Sequence, residues 1–140
     1  MRLERDRCEQ LLHRSDHGVL ATRHPGRGVD AVPACFVVAG EALAVPLDRV
    51  KPKDSEDLQR TRNLDRDPRA ALLCEHWDAM DWSRLWWVRA SLVRVATDPA
   101  PGSELESLLR RKYPQYEDQP FAELLSFRIT GMAGWAASGG

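Results

Sequence analysis

The feature that most restricts the fold of this chain is a series of short apolar segments separated by turn-forming residues. The segments are residues 18–22, 29–39 and 42–47, and the turns between them are His24-Pro-Gly-Arg-Gly28 and Gly40-Glu41. Turns this short leave no room for a helical crossover, so the segments are predicted to be antiparallel strands joined by hairpins. Pro33 cannot donate a ladder hydrogen bond, and it therefore predicts that the second strand is interrupted or bent at this residue.

Three further apolar segments predict strands, and three segments with helical periodicity or capping residues predict helices. The strands cover residues 69–76, 84–97 and 124–135; the helices cover residues 3–14, 55–66 and 103–113. Strands connected mainly by hairpins favour an antiparallel barrel, because closure leaves no exposed sheet edge. The length of 140 residues predicts one domain, residues 1–140, of mainly β structure with flanking helices.

The strand predicted over residues 84–97 carries apolar side chains on both faces. Leu85 and Trp87 belong to one face, and Val88 and Leu92 to the other. Apolar residues on both faces predict that both faces are covered. Because one small barrel has no second layer to cover its outer face, this strand predicts a homodimer.

Charge and composition exclude several classes of function. Lys and Arg number 20 and Asp and Glu 21, a net charge of −1 that provides no basic surface for nucleic acid. No apolar run is long enough to span a membrane, and the charged N-terminus lacks a signal-peptide core, so a cytoplasmic location is expected. Cys8, Cys35 and Cys74 form no CxxC pair, which predicts neither a disulfide framework nor a metal site.

A basic constellation follows the strand that ends near residue 47. It consists of Lys51 and Lys53 in the loop, and of Arg60, Arg62 and Asn63 on the following helix. Lysine offers a phosphate a point charge, and arginine can bind two of its oxygens at once. Two interpretations remain open at this stage: a phosphate site, or a solvated basic loop neutralised by nearby acidic residues.

Four of the five tryptophans fall within eleven positions, residues 77–87. Such a cluster can form a wall for a planar ring, or it can serve core and interface packing. Trp77 and Trp82 lie in a polar stretch between two strands, which favours ligand contact. Trp86 and Trp87 lie within a strand, which favours packing.

The remaining chemistry-bearing residues predict no catalytic group. His13 and His17 are four residues apart, but Ser15-Asp16 interrupts the helix that would align them on a metal. His76 ends a strand, where hydrogen bonding is the expected role. The chain contains no Gly-rich dinucleotide motif, no P-loop and no nucleophile elbow, so those enzyme classes are excluded.

Several of these motifs, in this order, resemble the pyridoxamine 5'-phosphate oxidase-like split-barrel superfamily. Within it the chain is most similar to small actinobacterial proteins described as deazaflavin (coenzyme F420)-dependent oxidoreductases. The motifs that carry the resemblance are Gly18-Val-Leu-Ala-Thr22, Val32-Pro33 with Phe36-Val-Val38, Lys51-Pro-Lys53, Arg62-Asn-Leu-Asp-Arg-Asp-Pro-Arg69 and Asp81-Trp-Ser-Arg-Leu-Trp-Trp-Val-Arg89.

The resemblance implies an antiparallel split β-barrel that forms a homodimer, with a cofactor site at each subunit interface. It implies that the cofactor contacts are Pro33, Ala34, Val45, Pro46 and Leu47 at the ring and Lys51, Lys53, Arg60, Arg62 and Asn63 at the phosphate. The loop 48–57 is longer than usual for the family, so Lys51, Lys53, Arg60 and Arg62 all remain candidates for the phosphate contact.

The resemblance also implies a reaction. It is the transfer of a hydride between reduced F420 and a small organic acceptor, a mechanism that needs no catalytic triad because the cofactor supplies the chemistry. The alternatives are an FMN-dependent oxidase or reductase on the same fold, and a module that binds flavin or haem without turnover.

Overall fold

The computed structural model describes residues 1–48, 55–95, 103–117 and 121–138. Within these ranges lie three α-helices and seven strands: α1 (Arg5–Arg14), β1 (Gly18–His24), β2 (Gly28–Ala34), β3 (Val37–Ala39), β4 (Ala42–Asp48), α2 (Ser55–Arg66), β5 (Arg69–His76), β6 (Trp86–Arg94), α3 (Glu104–Lys112) and β7 (Phe121–Ala136). The predicted elements are thus confirmed, except that the segment 29–39 forms two strands: it is interrupted at Cys35-Phe36 and not at Pro33. Pro33 lies on the edge strand β2, where its missing N–H costs no ladder bond.

All strand pairs are antiparallel, in the order β2-β1-β5-β6-β7-β4-β3. The two edge strands, β2 and β3, are consecutive in the chain and are separated only by Cys35 and Phe36. Two residues span at most about 10 Å, so the sheet must curl until its edges lie close together. Because β2 and β3 do not pair in the described residues, the barrel is split between them.

The barrel interior is filled by aliphatic side chains from every part of the sheet. Leu20, Leu72, Val88 and Phe127 are each at most 1% exposed and belong to one core cluster. Helix α1 closes one side of this core with Cys8, Leu11 and Leu12. A Cβ at Gly134 would lie 2.8 Å from the Cys8 Sγ, so a glycine is needed where α1 crosses β7.

Helix α3 packs on the other side of β3 and β4. Ser103 begins it by accepting a hydrogen bond from the Glu106 N–H, and Leu109 packs against Val37, Ala44 and Leu124. Among the described residues, no helix combines the length and the apolar character needed to cross a bilayer.

Strand β6 is covered on one face only within a single chain. Val88, Ala90 and Leu92 are buried, whereas Arg89 is exposed and Trp87 half-buried on the outer face. The outer face of β6 is therefore only partly covered within one chain, and its coverage by a second copy stays a prediction. On another part of the outer face, α3 packs against β3 and β4 through Leu109.

Candidate functional site

The sheet has two ends, which its register defines. At one end Thr22 pairs with Ala70, and helix α2 packs on β1; this is the helix end. At the other end His76 pairs with Trp86, which pairs with Ala136; this is the tryptophan end. Along β5, Ala70 and His76 are six residues apart, which corresponds to about 20 Å of strand.

A loop formed by residues 77–85 connects β5 to β6 at the tryptophan end. The Asp78 carboxylate accepts the backbone N–H groups two and three residues further on, at 3.0 and 3.1 Å. The Asp81 carboxylate accepts the N–H and the hydroxyl of Ser83, at 3.1 and 2.6 Å, and these bonds lower the pKa of Asp81. Hydrogen bonds between neighbouring residues therefore set the conformation of this loop.

The same loop exposes large apolar side chains. Trp77 is 62%, Trp82 64% and Met80 94% exposed, and the two indoles contact each other at a centroid distance of 5.9 Å. Large apolar side chains that core packing does not require, on a loop held by its own hydrogen bonds, are typical of a binding surface.

A groove of about 470 Å³ lies beside this loop on the outer face of the sheet. Four of the five tryptophans line it: Trp77, Trp86, Trp87 and Trp135. The Arg89 guanidinium lies 5.4 Å from the centre of the Trp87 ring and contributes a positive charge at the groove. The groove therefore combines flat apolar walls with a cationic group.

A second cavity, of about 310 Å³, adjoins this groove, because Leu73, Glu75, His76 and Trp86 line both. Its other walls include Arg14 and His17, from the connection between α1 and β1. The His76 imidazole stacks on Trp86 at a centroid distance of 6.3 Å, with 20° between the ring planes. The two cavities together make an elongated site with an aromatic part and a more polar part.

The helix end is organised differently, around the buried amide of Asn63. Its Nδ2 donates to the Thr22 hydroxyl and to the Asp30 carboxylate, both at 2.9 Å, and its Oδ1 accepts from Gln59 at 2.8 Å. Asn63 is 2% exposed, and the bonds to Thr22 and Asp30 tie α2 to β1 and β2, while the Gln59 bond lies within α2. The structure thus gives Asn63 a full set of protein partners.

Ion pairs extend this network to the surface. Arg27 binds Asp30 through two hydrogen bonds of 2.9 Å, which together with the Asn63 bond lower the Asp30 pKa to about 2. Arg69 binds Asp67 in the same way and lowers its pKa to about 2. The His24 Nδ1 accepts the backbone N–H groups of the β1–β2 turn, both at 2.9 Å.

The predicted ring contacts on β4 lie in the protein interior. Val45 is 0% and Leu47 6% exposed, both in the main core, and Pro46 is buried. On β2, Pro33 is exposed on the outer face and Ala34 is 7% exposed in the core. Their side chains thus point to opposite sides of β2, as those of successive strand residues do, and the implied contact of both residues with one ring stays a prediction.

The predicted phosphate contacts fall on or near α2. Arg60 is buried, at 9% exposure, and Arg62 is exposed one residue before Asn63. Lys51 and Lys53 lie outside the described residues. Apart from the three residues on β4, the described site residues fall into two groups in one chain: those on α2 at the helix end, and Pro33, Ala34, Trp77 and Trp82 at the tryptophan end.

The groove also contains residues that sequence reasoning missed. Trp135 and Arg89 line it because β6 and β7 pair Trp87 with Trp135, 48 positions apart in the chain. The expectation that Trp87 is a packing residue is corrected, because it lies half-buried on the outer face, in the groove. Trp86 does pack against the core. Alternation along β6 was the available signal: it places Trp87 and Arg89 on one face.

Within the described ranges, no group of three His, Cys, Asp or Glu side chains lies close enough together to hold a metal ion. Burial raises the pKa of the Cys8 and Cys74 thiols, which disfavours the reactive thiolate at both positions. The chemistry that these residues offer is thus ring stacking, anion binding and hydrogen bonding.

Comparison with known proteins identifies the fold. No protein-family model and no curated protein matches the chain. Among solved structures, a FAD-binding protein from Mesorhizobium loti is similar at 14% identity and a TM-score of 0.63, covering 96% of this chain and 93% of that one. The haem-storage protein HutZ from Vibrio cholerae is similar at 17% identity and a TM-score of 0.64, with 94% of each chain covered.

A protein from Corynebacterium glutamicum assigned as a pyridoxamine 5'-phosphate oxidase is similar at 12% identity and a TM-score of 0.57, covering 96% of this chain and 94% of that one. At such identities the similarity concerns the fold. The chain therefore has the antiparallel split-barrel fold of flavin-binding and pyridoxamine 5'-phosphate oxidase-like proteins, as the sequence resemblance implied.

Proposed function

We propose that this protein is an oxidoreductase that binds a deazaflavin of the F420 type, with FMN as the alternative cofactor, and acts on a small organic acceptor. The observation that carries the proposal is the groove lined by Trp77, Trp86, Trp87 and Trp135. Its flat apolar walls match a planar tricyclic ring, which indole side chains bind by stacking. The fold supports the same choice, since solved structures that share it include proteins named for FAD binding.

The residues of the groove fit such a cofactor in charge as well as in shape. The cofactor, when bound, supplies the hydride chemistry. The chain's own contribution is to hold the ring between indoles and to exclude water from it, while Arg89 provides a cation for an anionic substituent.

The adjoining cavity favours F420 over FMN. It extends the groove past His76 towards Arg14 and His17, so the site is long, and its charged lining comprises Arg14 and Arg89 together with the carboxylates of Asp16 and Glu75. F420 has an internal phosphodiester and an anionic glutamate tail, which match an extended site. FMN requires only a compact binding site for one terminal phosphate.

We further propose that each complete site is formed by two copies of the chain. The residues on α2 and the tryptophan groove lie about 20 Å apart along β5 in one chain. This distance is too large for α2 to bind the phosphate of a cofactor whose ring lies in the groove of the same chain. A two-fold dimer brings the helix end of one copy to the tryptophan end of the other. The exposed outer face of β5 and β6 is the surface for this contact, and Leu73, 39% exposed, lies on it.

The cofactor proposal is tested by titrating the purified protein with F420, FMN, FAD and haem while following absorbance and tryptophan fluorescence. Saturable quenching by F420 at lower concentration than by the other three is the expected result. Trp77→Phe and Trp135→Phe, which keep an aromatic ring, should weaken binding less than the corresponding substitutions to alanine. Equal weak quenching by all four would reject the deazaflavin assignment.

The shared-site proposal is tested by subunit complementation. One variant carries Trp77→Ala and Trp82→Ala, and the other carries Lys51→Ala and Lys53→Ala, so neither homodimer has a complete site. If sites are shared, mixing and subunit exchange should restore about a quarter of the wild-type sites, since half of the dimers are mixed and each has one intact site. Recovery of no sites would place all contacts in one chain.

Haem binding without turnover is a second candidate function, favoured by the two histidines of the adjoining cavity. His17 and His76 both line it, and imidazole is a common axial ligand of haem iron. A Soret band that shifts on binding and is lost in His76→Ala would support this function. Retention of the band in both His76→Ala and His17→Ala would exclude these ligands.

A further inference from the structure

A third cavity, of about 310 Å³, lies where the C-terminal ends of α1 and α3 meet the edge strand β3. Its lining comprises His13 from α1, Val37 and Val38 from β3, and Leu108, Arg111 and Lys112 from α3. None of these residues lines the tryptophan groove or the cavity beside it. The cavity thus has a cationic side and an apolar side, separate from the proposed cofactor site.

Lys112 is the unusual member of this set. Its side chain is half-buried, and its Nζ donates to the Phe36 carbonyl at 2.9 Å and lies 3.8 Å from the centre of the Phe36 ring. In the part of the chain that the structure describes, no carboxylate forms an ion pair with it. Burial lowers the pKa of Lys112 and outweighs the opposing effect of the nearby Cys74, Cys35 and Asp16, so its charge is only partly compensated.

Helix ends explain only part of this arrangement. Cations in the last turn of a helix stabilise its dipole, which accounts for the exposed side chains of His13 and Arg111. A dipole does not require a lysine to be half-buried between a backbone carbonyl and an aromatic ring. Of its three donor hydrogens, the Phe36 carbonyl accepts one, so the ammonium retains capacity for an anion.

We propose that this cavity binds a small amphipathic carboxylate. The carboxylate group would lie between Lys112 and Arg111, with His13 at the rim, and the apolar chain would lie against Val37, Val38 and Leu108. A bare inorganic anion would leave the apolar side unused, and a neutral apolar molecule would leave the charge of Lys112 uncompensated.

The probes that test this proposal are hexanoate, hexanol and inorganic phosphate, titrated at constant ionic strength into the full-length protein. Methyl NMR signals of Val37, Val38 and Leu108 report binding at this cavity. Hexanoate should bind about tenfold more tightly than hexanol or phosphate, as expected for one charge-assisted hydrogen bond added to apolar contact. Equal affinity for hexanoate and hexanol, or methyl shifts confined to the tryptophan groove, would overturn the proposal.

Variants separate the binding role from the packing role. Lys112→Met keeps the length of the side chain but removes its charge, and should weaken hexanoate binding about tenfold while leaving hexanol unchanged. Because that variant also loses the Phe36 contact, Arg111→Gln is the second variant: Arg111 is exposed, and its loss should weaken hexanoate binding without unfolding the protein. Arg128→Gln, at an exposed position on β7, is the matched control. Unchanged hexanoate affinity in Arg111→Gln and in folded Lys112→Met would refute the site.

Discussion

The two ends of the sheet use their residues in opposite ways. At the helix end the polar atoms of Asn63 are buried and have partners in the protein, and Arg27 and Arg69 are paired with carboxylates. At the tryptophan end Trp77, Met80 and Trp82 remain exposed on a loop that needs none of them for its shape. A polar network whose hydrogen bonds are all made within the protein supports folding, whereas an ordered but uncovered apolar surface indicates binding.

The largest expected effect is on stability, at the helix end. Asn63→Ala removes three side-chain hydrogen bonds and leaves Thr22, Gln59 and Asp30 short of a partner, so it should lower the free energy of unfolding by about 2–4 kcal/mol. Urea unfolding measures this change. Arg62→Ala, an exposed neighbour on the same helix, is the control and should change stability by less than about 0.5 kcal/mol.

If Asn63→Ala proves as stable as the wild type, the network is not what joins α2 to the sheet. If it is stable and cofactor binding alone is lost, Asn63 is a ligand contact after all. That outcome would reverse the contrast between the two ends.

The opposite result is expected at the tryptophan end. Trp77→Ala and Trp82→Ala remove exposed side chains, so each should change the free energy of unfolding by less than about 0.5 kcal/mol. Trp77→Ala should instead weaken cofactor binding about tenfold, because loss of one stacking aromatic side chain costs a bound planar ring roughly 1–3 kcal/mol. Trp82 contacts the Trp77 ring but does not line the groove, so Trp82→Ala should weaken binding less. Thermal unfolding and fluorescence titration of the same samples provide both numbers. A large stability loss with unchanged affinity would assign these tryptophans to packing.

The smallest expected effect is on the stability of the fold at low pH. The pKa values of Asp30 and Asp67 are both lowered to about 2 in the folded protein, below the ordinary value of 3.8. A lowered pKa stabilises the fold above the unfolded value, so this contribution is present above about pH 4 and is lost as the pH falls towards 2. Asp30→Asn should therefore flatten the decline of the melting temperature between pH 4 and 2.

Glu123→Gln, at an exposed position on β7, is the control for that measurement and should leave the decline unchanged. The tryptophan-end variants should also show the wild-type decline, since the carboxylates with the strongest shifts lie at the helix end. A decline that is unaltered in Asp30→Asn would mean that the Arg27 pair contributes nothing measurable, as many exposed pairs do.

Local sequence signals were sufficient for the elements and for the fold class. Gly40, with φ of +60°, makes the turn between β3 and β4, and Ser103 caps α3; both positions were readable from residue type alone. These predictions hold because turns, caps and strand alternation depend on residues only a few positions apart.

The composition of the site was decided by the tertiary structure. The sequence placed Trp77 and Trp82 together, but the pairing of Trp87 with Trp135, which completes the groove, depends on the register of β6 with β7. The sequence grouped Asn63 with the candidate phosphate ligands, whereas in the folded chain its amide donates hydrogen bonds to Thr22 and Asp30. Contacts between residues far apart in the chain leave no local periodicity, so a linear pattern identifies which residues are available and only the folded sheet decides which of them meet.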